Sequence, residues 1–223
     1  MSEKKYQTID DVPYEIKPFT LRGLGVFRKS ALDYVDSSIT VTEITSVTCD
    51  SREVTPGALF IAVRGFASDG HRYIASAIGK GAAAVLYEDP DAALPDAGIA
   101  WVRVANSRHA VAMAADAFYG HPSGKLSLVG ITGTNGKTTT VTLLYRLFKA
   151  LGHPCGLLST IANYVDDEPL ETANTTADPI TINRLLAEMV EKGCSYCFME
   201  VSSIGVEQER TAGLQFAAGI FSN

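Results

Sequence analysis

The chain has 223 residues, 46% hydrophobic and 20% charged, and so carries enough apolar side chains for one large or two modest cores. Its formal net charge of -6, without a run of Lys and Arg, excludes broad affinity for nucleic acid, because binding to a phosphate backbone relies on clustered cations. There is no signal-peptide pattern and no uncharged apolar run of about 18 residues, so we expect a cytoplasmic protein that is not inserted in a membrane.

The first 38 residues are charged and aperiodic, and no fold is predicted for them. Over residues 39–122, runs rich in β-branched and apolar residues predict strands at 40–44, 58–63, 82–87 and 100–104. Between them, apolar periodicity predicts one helix over 71–80 and another over 106–119, the second N-capped by Asn106. Strands that alternate with helices predict a small α/β domain.

A breaker cluster at residues 120–124 precedes a region with a new periodicity, residues 123–223. Strands are predicted at 126–132, 195–201 and 216–222. A helix over 138–151 is predicted to bury Val141, Leu144, Tyr145, Phe148 and Leu151. Asp178 and Pro179 predict the start of a further helix, which buries Ile182, Leu185, Leu186 and Met189. This pattern predicts a parallel sheet. Since no helix follows the last strand to cover the sheet, we expect this second domain to be incomplete.

The four cysteines are scattered, which favours a reduced cytoplasmic protein over a disulfide scaffold. Cys194 and Cys197 form a C-x-x-C pair, but they lie in an apolar run typical of a strand, in which an odd separation points side chains to opposite faces. No second pair exists, so the sequence predicts no metal or redox role for this pair.

The segment between the strand at 126–132 and the following helix predicts a phosphate-binding loop for ATP. Its first glycine, Gly130, lies one position too early for the motif Gly-x-x-x-x-Gly-Lys-Thr. Gly133 and Gly136 nevertheless let successive N–H groups face phosphate oxygens at the start of a helix. Lys137 is then placed to reach the β- and γ-phosphates and the Thr138 hydroxyl to ligate Mg²⁺. The predicted nucleotide-binding residues are Gly133, Thr134, Asn135, Gly136, Lys137, Thr138 and Thr139.

Residues 132–139 resemble the loop of the Mur ligases and of their folylpolyglutamate and cyanophycin synthetase relatives, which use ATP to join a carboxylate to an amine. The stretches at residues 50–52, 56–60 and 69–71 resemble the N-terminal domain of MurE-type members, where the uridine of the substrate binds. The stretches at 174–176 and 199–203, with Gln208 and Arg210, resemble the central, substrate-binding domain. The resemblance covers about residues 44–223.

The resemblance implies site residues. Glu200 corresponds to the family's Mg²⁺ ligand, for which a hard carboxylate oxygen is suited, and with Lys137 it forms the predicted catalytic pair. Arg210 is the strongest candidate for binding an anion. The predicted substrate-binding residues are Ser51, Asn174, Thr175, Thr176, Ser202, Gln208 and Arg210.

The chain also departs from the family pattern. Residues 66–68, which fall where the family contacts the uracil nucleotide, differ from the His-Gln-Ala of some members. Ile204 stands where MurE-type enzymes typically have His, and an alkyl group cannot ligate a second metal ion. The other histidines, at positions 71, 109, 121 and 153, are interpreted as surface or capping residues.

The function implied by the resemblance is an ATP-dependent ligase of peptidoglycan synthesis. ATP phosphorylates the terminal carboxylate of UDP-N-acetylmuramoyl-dipeptide, and an incoming amino acid attacks the acyl phosphate to form an amide. Such chemistry needs positioning and charge neutralisation rather than a side-chain nucleophile.

The family's amino-acid-binding domain and a carbamate-modified lysine lie beyond Asn223, so we expect the chain as given to bind nucleotide, as a monomer, without completing the ligation. Two alternatives stay open. One is a non-catalytic nucleotide-binding module. The other is a relative that acts on folate or cyanophycin, against which the stretch at residues 50–52 argues.

Overall fold

The computed structural model describes residues 8–9, 44–65, 68–92, 94–95, 98–170 and 174–223. The predicted strand at 40–44 and the predicted uracil-contacting stretch at 66–68 therefore lie largely outside the described residues. The chain divides into two compact units, Met1–Phe118 and Tyr119–Asn223, called unit 1 and unit 2. No helix in the described part of the chain is long and apolar enough to cross a membrane.

Within the described residues of unit 1, five strands form a parallel sheet in the order β1-β5-β4-β3-β2. The strands are β1 (Thr8–Ile9), β2 (Ser46–Thr48), β3 (Ala58–Ala62), β4 (Ala84–Tyr87) and β5 (Ala100–Val104). The central strands β3 and β4 are buried along their whole length, as is typical of a parallel sheet with both faces covered. The predicted strands at 58–63, 82–87 and 100–104 are confirmed to within two residues.

Two helices pack on this sheet, α1 (Ile74–Gly79) and α2 (Ser107–Phe118). A 3-10 helix over Gly70–Tyr73 forms the first part of the helix predicted at 71–80. The Asn106 carboxamide oxygen accepts hydrogen bonds from the backbone N–H groups of Arg108 and His109, so the predicted N-cap of α2 is confirmed.

Unit 2 contains a second sheet, in the order β11-β6-β10-β7-β8-β9. Its strands are β6 (Ser127–Thr132), β7 (Cys155–Leu158), β8 (Asn163–Val165), β9 (Glu168–Leu170), β10 (Tyr196–Glu200) and β11 (Ala218–Phe221). β11, β6, β10 and β7 are parallel, whereas β8 and β9 form an antiparallel hairpin beside β7. The α/β class and the parallel sheet are confirmed, but β7 and the hairpin were not predicted.

Helices cover the two faces of this sheet. α3 (Lys137–Ala150) packs Val141 and Tyr145 against one face, and α4 (Pro179–Glu191) packs its four predicted core residues against the other. Asp178 caps α4 by accepting from the N–H groups of Ile180 and Thr181. The prediction that Leu151 is buried is wrong: it lies after the last residue of α3 and is 63% exposed.

The interpretation of the C-x-x-C pair is also wrong in one respect. β10 begins only at Tyr196, so Cys194 lies in the turn after α4 rather than in the strand. Both Cys194 and Cys197 pack into the core on the α4 side instead of pointing to opposite faces. Burial raises the pKa of both thiols, and none of the four cysteines, all of which lie in the described residues, forms a disulfide.

Candidate active site

The predicted phosphate-binding loop and Glu200 meet at the carboxyl edge of the unit 2 sheet. β6 and β10 are parallel neighbours in which Ile131 pairs with Glu200, so the loop that follows β6 begins beside Glu200. The carboxyl edge of an open parallel sheet is where α/β proteins bind ligands. The helix α3 starts at Lys137, directly after the loop, and directs its N-terminal end to the same edge.

The loop depends on glycine at two positions. Gly133 has φ 136° and Gly136 has φ 82°, both in the region that favours glycine. A Cβ at Gly133 would also collide with the Ser222 hydroxyl and lie 2.9 Å from the backbone N of Asn223. These two residues therefore allow the close turn that joins β6 to α3.

Oxygen atoms already bind the donors of this loop. The backbone N–H of Thr134 donates to the Asn223 carbonyl oxygen over 3.1 Å, and the N–H of Asn135 donates to Asn223 Oδ1 over 2.9 Å. Lys137 Nζ folds back and donates to the carbonyls of Gly133 and Thr134, at 2.6 and 3.3 Å. The loop thus presents N–H and ammonium donors to oxygen acceptors, which is the chemistry that a polyphosphate requires.

Glu200 is the most deeply buried charged group of this edge, with 1% of its surface exposed. Its Oε2 accepts a hydrogen bond from Thr138 Oγ1 over 3.0 Å, and its Oε1 accepts one from the backbone N–H of Thr160 over 2.8 Å. Among the described residues, no Lys, Arg or His forms an ion pair with it. Burying a carboxylate without a cation is costly, so the arrangement favours a bound cation.

The donor set at this position fits Mg²⁺. Mg²⁺ is typically held by one or two carboxylate or hydroxyl oxygens, with substrate phosphates and water completing its coordination. Glu200 and Thr138 supply two hard oxygen atoms beside a loop with phosphate-binding geometry. The described residues contain no cluster of three or more His, Cys, Asp and Glu that would suit a metal held by protein alone.

A polar network continues from Glu200 through residues that the resemblance assigns to substrate. The buried Thr176 hydroxyl donates to the Glu200 carbonyl oxygen over 3.2 Å and lies 3.1 Å from Ser202 Oγ. Ser202 Oγ in turn accepts from the N–H of Gly205 and caps the short helix α5 (Ser203–Glu207), which was not predicted. A Cβ at Gly205 would lie 2.9 Å from Thr176 Cβ, so this contact needs glycine.

Arg210 is fixed within the same network. Its Nη1 donates to the Thr176 carbonyl oxygen over 2.5 Å, while Nε and Nη2 both donate to Gln208 Oε1, at 3.0 and 2.7 Å. Thr176, Ser202, Gln208 and Arg210 are therefore brought together, and the Thr176 hydroxyl binds the backbone of Glu200 and Ser202 at the end of β10. Thr175 is half-buried and Asn174 is exposed beside them. Their contacts with substrate stay predictions.

The predicted site residues of unit 1 lie at the turn after β2. Ser51 is buried, between Asp50 and Arg52, whose side chains form a two-pronged ion pair with a shortest distance of 2.6 Å. The hydrogen bonds from Arg52 lower the pKa of Asp50 to about 2. The turn is thus an ordered segment, and the role of Ser51 in binding a nucleotide stays a prediction.

The sequence predicted a surface or capping role for His71, and its side chain is only 6% exposed. Its Nε2 accepts hydrogen bonds from the backbone N–H groups of Glu88 and Asp89, so the proton is on Nδ1, which donates to Asp69 Oδ1. Asp69 also contacts Arg64, over 3.3 Å. His71 therefore ties the segment after β3 to the end of β4.

Sequence reasoning missed the residues that contact the site from the turn between β7 and β8 and from the end of β11. Thr160 binds Glu200 through its backbone N–H, which leaves no mark on residue type. Ser222 Oγ donates to the carbonyl oxygen of Asn135 over 2.6 Å. Asn163, the polar first residue of the short strand β8, is a signal in residue type that could have directed attention to the turn after β7.

Comparison with known proteins agrees with this geometry. A family profile described as the Mur ligase middle domain matches residues 131–223, and one described as the Mur ligase family catalytic domain matches residues 43–119. The chain belongs to the Mur ligase family. The two matched segments lie one in each compact unit, and the phosphate-binding loop lies in the middle-domain match.

Several curated Mur ligases resemble the chain, all under the name UDP-N-acetylmuramoyl-L-alanyl-D-glutamate–2,6-diaminopimelate ligase. The Bacteroides fragilis protein is 55% identical over 181 residues, which is 81% of this chain and 37% of that protein. The Cytophaga hutchinsonii protein is 53% identical over 84% of this chain and 38% of its own length, and the Clostridium tetani protein 37% identical over 89% and 41%. The chain spans less than half the length of these relatives.

Solved structures support the same fold. A structure of UDP-N-acetylmuramoyl-L-alanyl-D-glutamate–2,6-diaminopimelate ligase aligns with a TM-score of 0.74 at 21% identity, over 93% of this chain and 40% of that one. A MurF structure from Acinetobacter baumannii aligns with a TM-score of 0.55 at 23% identity, over 86% and 37%. At these identities the likeness shows the fold of the Mur ligases and nothing finer.

Proposed function

We propose that unit 2 binds ATP through residues 133–139 and holds Mg²⁺ between Thr138 and Glu200. The proposal rests on the position of the Glu200 carboxylate. It is buried and has no cationic partner among the described residues. It lies 3.0 Å from the hydroxyl of Thr138, in the first turn of the helix that follows the phosphate-binding loop. Bound there, Mg²⁺ would neutralise phosphate charge. Lys137 would leave the loop carbonyls and donate to the phosphates, since Nζ is a flexible point charge.

We further propose that the chain is the N-terminal and middle part of an ATP-dependent ligase of peptidoglycan synthesis. The substrate would be UDP-N-acetylmuramoyl-dipeptide, and the names of the curated relatives favour 2,6-diaminopimelate as the amino acid added. The dipeptide carboxylate would attack the γ-phosphorus of ATP, ADP would leave, and the amino nitrogen would then displace phosphate from the acyl phosphate. Residues of this chain would contribute positioning and charge neutralisation.

The roles proposed for the two domains are those predicted from the sequence. Residues 39–122 would bind the uridine nucleotide, with Ser51 among the contacts, and residues 123–223 would bind ATP. Thr175, Thr176, Ser202 and Arg210 follow the carboxyl edge from Glu200 and are proposed to contact the muramoyl-peptide. The proposed location is the cytoplasm, where a protein whose cysteines form no disulfide stays reduced.

A binding experiment tests the nucleotide site. Titration calorimetry of the chain with ATP, with and without Mg²⁺, should show binding that Mg²⁺ strengthens and that UDP does not displace. A second titration with UDP-N-acetylmuramoyl-dipeptide should show a separate site, for which UDP competes. If ATP does not bind with Mg²⁺ present, the proposed nucleotide site is wrong. If UDP does not compete, a substrate of the folate or cyanophycin type becomes the better candidate.

A non-catalytic nucleotide-binding module is the second candidate function. It is favoured by Ile204, which stands 57% exposed in α5 where the resemblance predicts a histidine. Product formation by the chain alone does not separate the two, because the chain spans less than half the length of its relatives. Binding of UDP-N-acetylmuramoyl-dipeptide does separate them. Binding of both ATP and the dipeptide substrate supports the ligase, whereas ATP binding without substrate binding supports the module.

A further inference from the structure

We propose that Asn163 is a positioning residue for the metal ligand Glu200, and that it acts through the turn at residues 159–162. The inference rests on the proposed function, because it gives Asn163 a task in the same Mg²⁺–nucleotide site. Neither the sequence pattern nor the similarity to Mur ligases assigns a role to this turn. The turn connects β7 to β8 and so brings an unpredicted hairpin to the carboxyl edge of the sheet.

The first step is that the two oxygens of the Glu200 carboxylate accept hydrogen bonds from two different donors. Oε1 accepts from the Thr160 backbone N–H over 2.8 Å, and Oε2 accepts from Thr138 Oγ1 over 3.0 Å. A carboxylate whose two oxygens bind different elements cannot rotate freely about its last bond. Because Thr160 occupies Oε1, the oxygen that remains directed to Thr138, and thus to the proposed metal, is Oε2.

The second step is what holds Thr160 in place. Asn163 Oδ1 accepts from the backbone N–H of Ser159 over 3.1 Å, and Ser159 Oγ donates to the carbonyl oxygen of Ala162 over 2.7 Å. These two bonds close the turn on both sides of Thr160. Both side chains are buried, Asn163 with 4% of its surface exposed and Ser159 with 2%. Their bonds are therefore shielded from water and remain intact unless the turn opens.

The third step links the turn to the metal. Without the Asn163 acceptor, the Ser159 N–H loses its buried partner and the turn relaxes. The Thr160 N–H then moves away from Oε1, and the Glu200 carboxylate is free to rotate. Groups that hold a metal ligand from behind typically change metal affinity by about 10–100-fold when they are removed. A purely structural Asn163 would instead affect stability alone.

The test compares Asn163→Leu and Asn163→Asp with the unchanged chain. Leu has a similar volume but no acceptor, whereas Asp retains an oxygen that can accept from Ser159. The measurement is the factor by which Mg²⁺ strengthens ADP binding, obtained by calorimetry with and without Mg²⁺. We expect Asn163→Leu to lower this factor about 10-fold while Mg²⁺-free binding is unchanged, and Asn163→Asp to restore most of it. Equal factors in all three proteins would overturn the proposal.

Asn183 supplies a matched control. It is a buried Asn of α4 whose Nδ2 donates to the Pro179 carbonyl oxygen and whose Oδ1 has no partner among the residues that the structure describes. Asn183→Leu should alter thermal stability without altering the Mg²⁺ factor. An equal loss of the Mg²⁺ factor in Asn183→Leu would show that general loosening is the cause and would also overturn the proposal.

A second readout needs no nucleotide. Hydrogen exchange of the Thr160 amide, followed by NMR in the free chain, should be slow. It should accelerate at least about 10-fold in Asn163→Leu, because a loss of about 1.4 kcal/mol in the free energy of local opening is a factor of ten. If Asn163→Leu does not fold, Ser159→Ala removes the Ala162 bond with a smaller change and should show the same acceleration. Unchanged exchange in the folded variant contradicts the inference. Failure of the unchanged chain to bind ADP contradicts the proposed function instead.

Discussion

The charged side chains at the carboxyl edges of the two sheets have different kinds of contact partner. In unit 1, Asp50 pairs with Arg52, and Arg64 contacts both Asp69 and Asp89. In unit 2, the buried Glu200 contacts a hydroxyl and a backbone N–H, and Lys137 contacts two carbonyls. Within the described residues, the first edge balances its charges internally, whereas the second holds a carboxylate and an ammonium group apart.

This difference has a physical meaning for function. A charge that a neighbour neutralises stabilises the fold modestly and has little left to offer a ligand. A buried charge that is hydrogen-bonded but not neutralised costs stability, and such strain is repaid when a ligand of opposite sign binds. The unit 2 edge keeps one group for a cation, Glu200, and one for an anion, Lys137, whose chain neighbour Thr138 contacts Glu200. Mg²⁺ and a polyphosphate supply both.

Substitution of Lys137 should have the largest effect. Lys137→Ala removes the ammonium group that we expect to bind the β- and γ-phosphates, and hydrogen bonds to charged groups contribute about 1.5–3 kcal/mol, so ATP affinity should fall about 10–100-fold. Calorimetric titration with ATP and Mg²⁺ measures this loss. Thermal unfolding should change little, because the hydrogen bonds of Nζ within the described part of the chain are to loop carbonyls.

Arg64→Ala is the matched control for this variant. It removes a cation from the internally balanced edge, so it should lower the stability of unit 1 and leave ATP affinity unchanged. Comparable losses of ATP affinity in both variants would contradict the distinction between the two edges.

Glu200→Gln should give the next largest effect, and with opposite signs in two measurements. The amide keeps an acceptor for the Thr160 N–H and a donor for Thr138, but it removes the buried charge. Without Mg²⁺, the free energy of unfolding should rise by about 1–3 kcal/mol, because an uncompensated buried group is lost. The strengthening of ATP binding by Mg²⁺ should fall about 10-fold or more.

Urea unfolding and calorimetry measure these two quantities on the same protein. A Glu200→Gln variant that is less stable without Mg²⁺ would show that the carboxylate is a structural group, and the comparison of the edges would need revision.

Sequence reasoning worked well where a local pattern determines the structure. β5 was placed without error because its five residues alternate in burial and the turn-forming residues Gly98 and Asn106 lie close to its two ends. Asp178 and Pro179 mark the start of α4 because the Asp side chain satisfies free N–H groups and Pro needs none. The loop between β6 and α3 was found because glycine, lysine and threonine each have a task there.

Sequence reasoning failed where tertiary contacts determine the structure. The hairpin of β8 and β9 has strands of three residues, too short for a periodic signal, and its turn residue Asp166 has φ 54°, which residue type alone does not reveal. Tyr145 OH and Lys149 Nζ bind Asp166 from α3 and hold the hairpin. Leu151 fits the apolar stripe of α3 but lies beyond its end.

The candidate site was predictable in part for the same reason. Lys137, Thr138 and Glu200 carry chemistry in their side chains, whereas Thr160 contributes only a backbone N–H that any residue supplies.

Gly130→Ala should have a smaller effect, confined to the stability of unit 2. A Cβ at Gly130 would lie 2.7 Å from Cε1 of Phe216 and 3.3 Å from Cγ2 of Val201, so Phe216 must shift. Overpacking of this kind costs about 1–3 kcal/mol. The cross-strand partner Gly219 on β11 is a matched control, since a Cβ there meets nothing within 4 Å. Circular dichroism should show a lower midpoint of thermal unfolding for Gly130→Ala and no lowering for Gly219→Ala.

The smallest expected effect is a change in the acid stability of unit 1. The hydrogen bond from His71 lowers the pKa of Asp69 from 3.8 to about 2. A carboxylate with a lowered pKa stabilises the folded state above its unfolded pKa, and this contribution is lost as the pH falls through the folded pKa. The stability of unit 1 should therefore decrease between pH 4 and pH 2, and Asp69→Asn should flatten this part of the curve.

Fluorescence of Trp101 measures the effect selectively, because it is the only tryptophan of the chain and lies on β5 in unit 1, in edge contact with Tyr87. Urea unfolding at several pH values then gives the acid slope of unit 1 alone. Asp91→Asn, at an exposed position, is the control and should retain the slope of the unchanged chain. A slope that Asp69→Asn leaves unaltered would mean that the His71–Asp69 contact does not hold the segment after β3, and the internal balance of the unit 1 edge would then rest on Arg64 and Asp89.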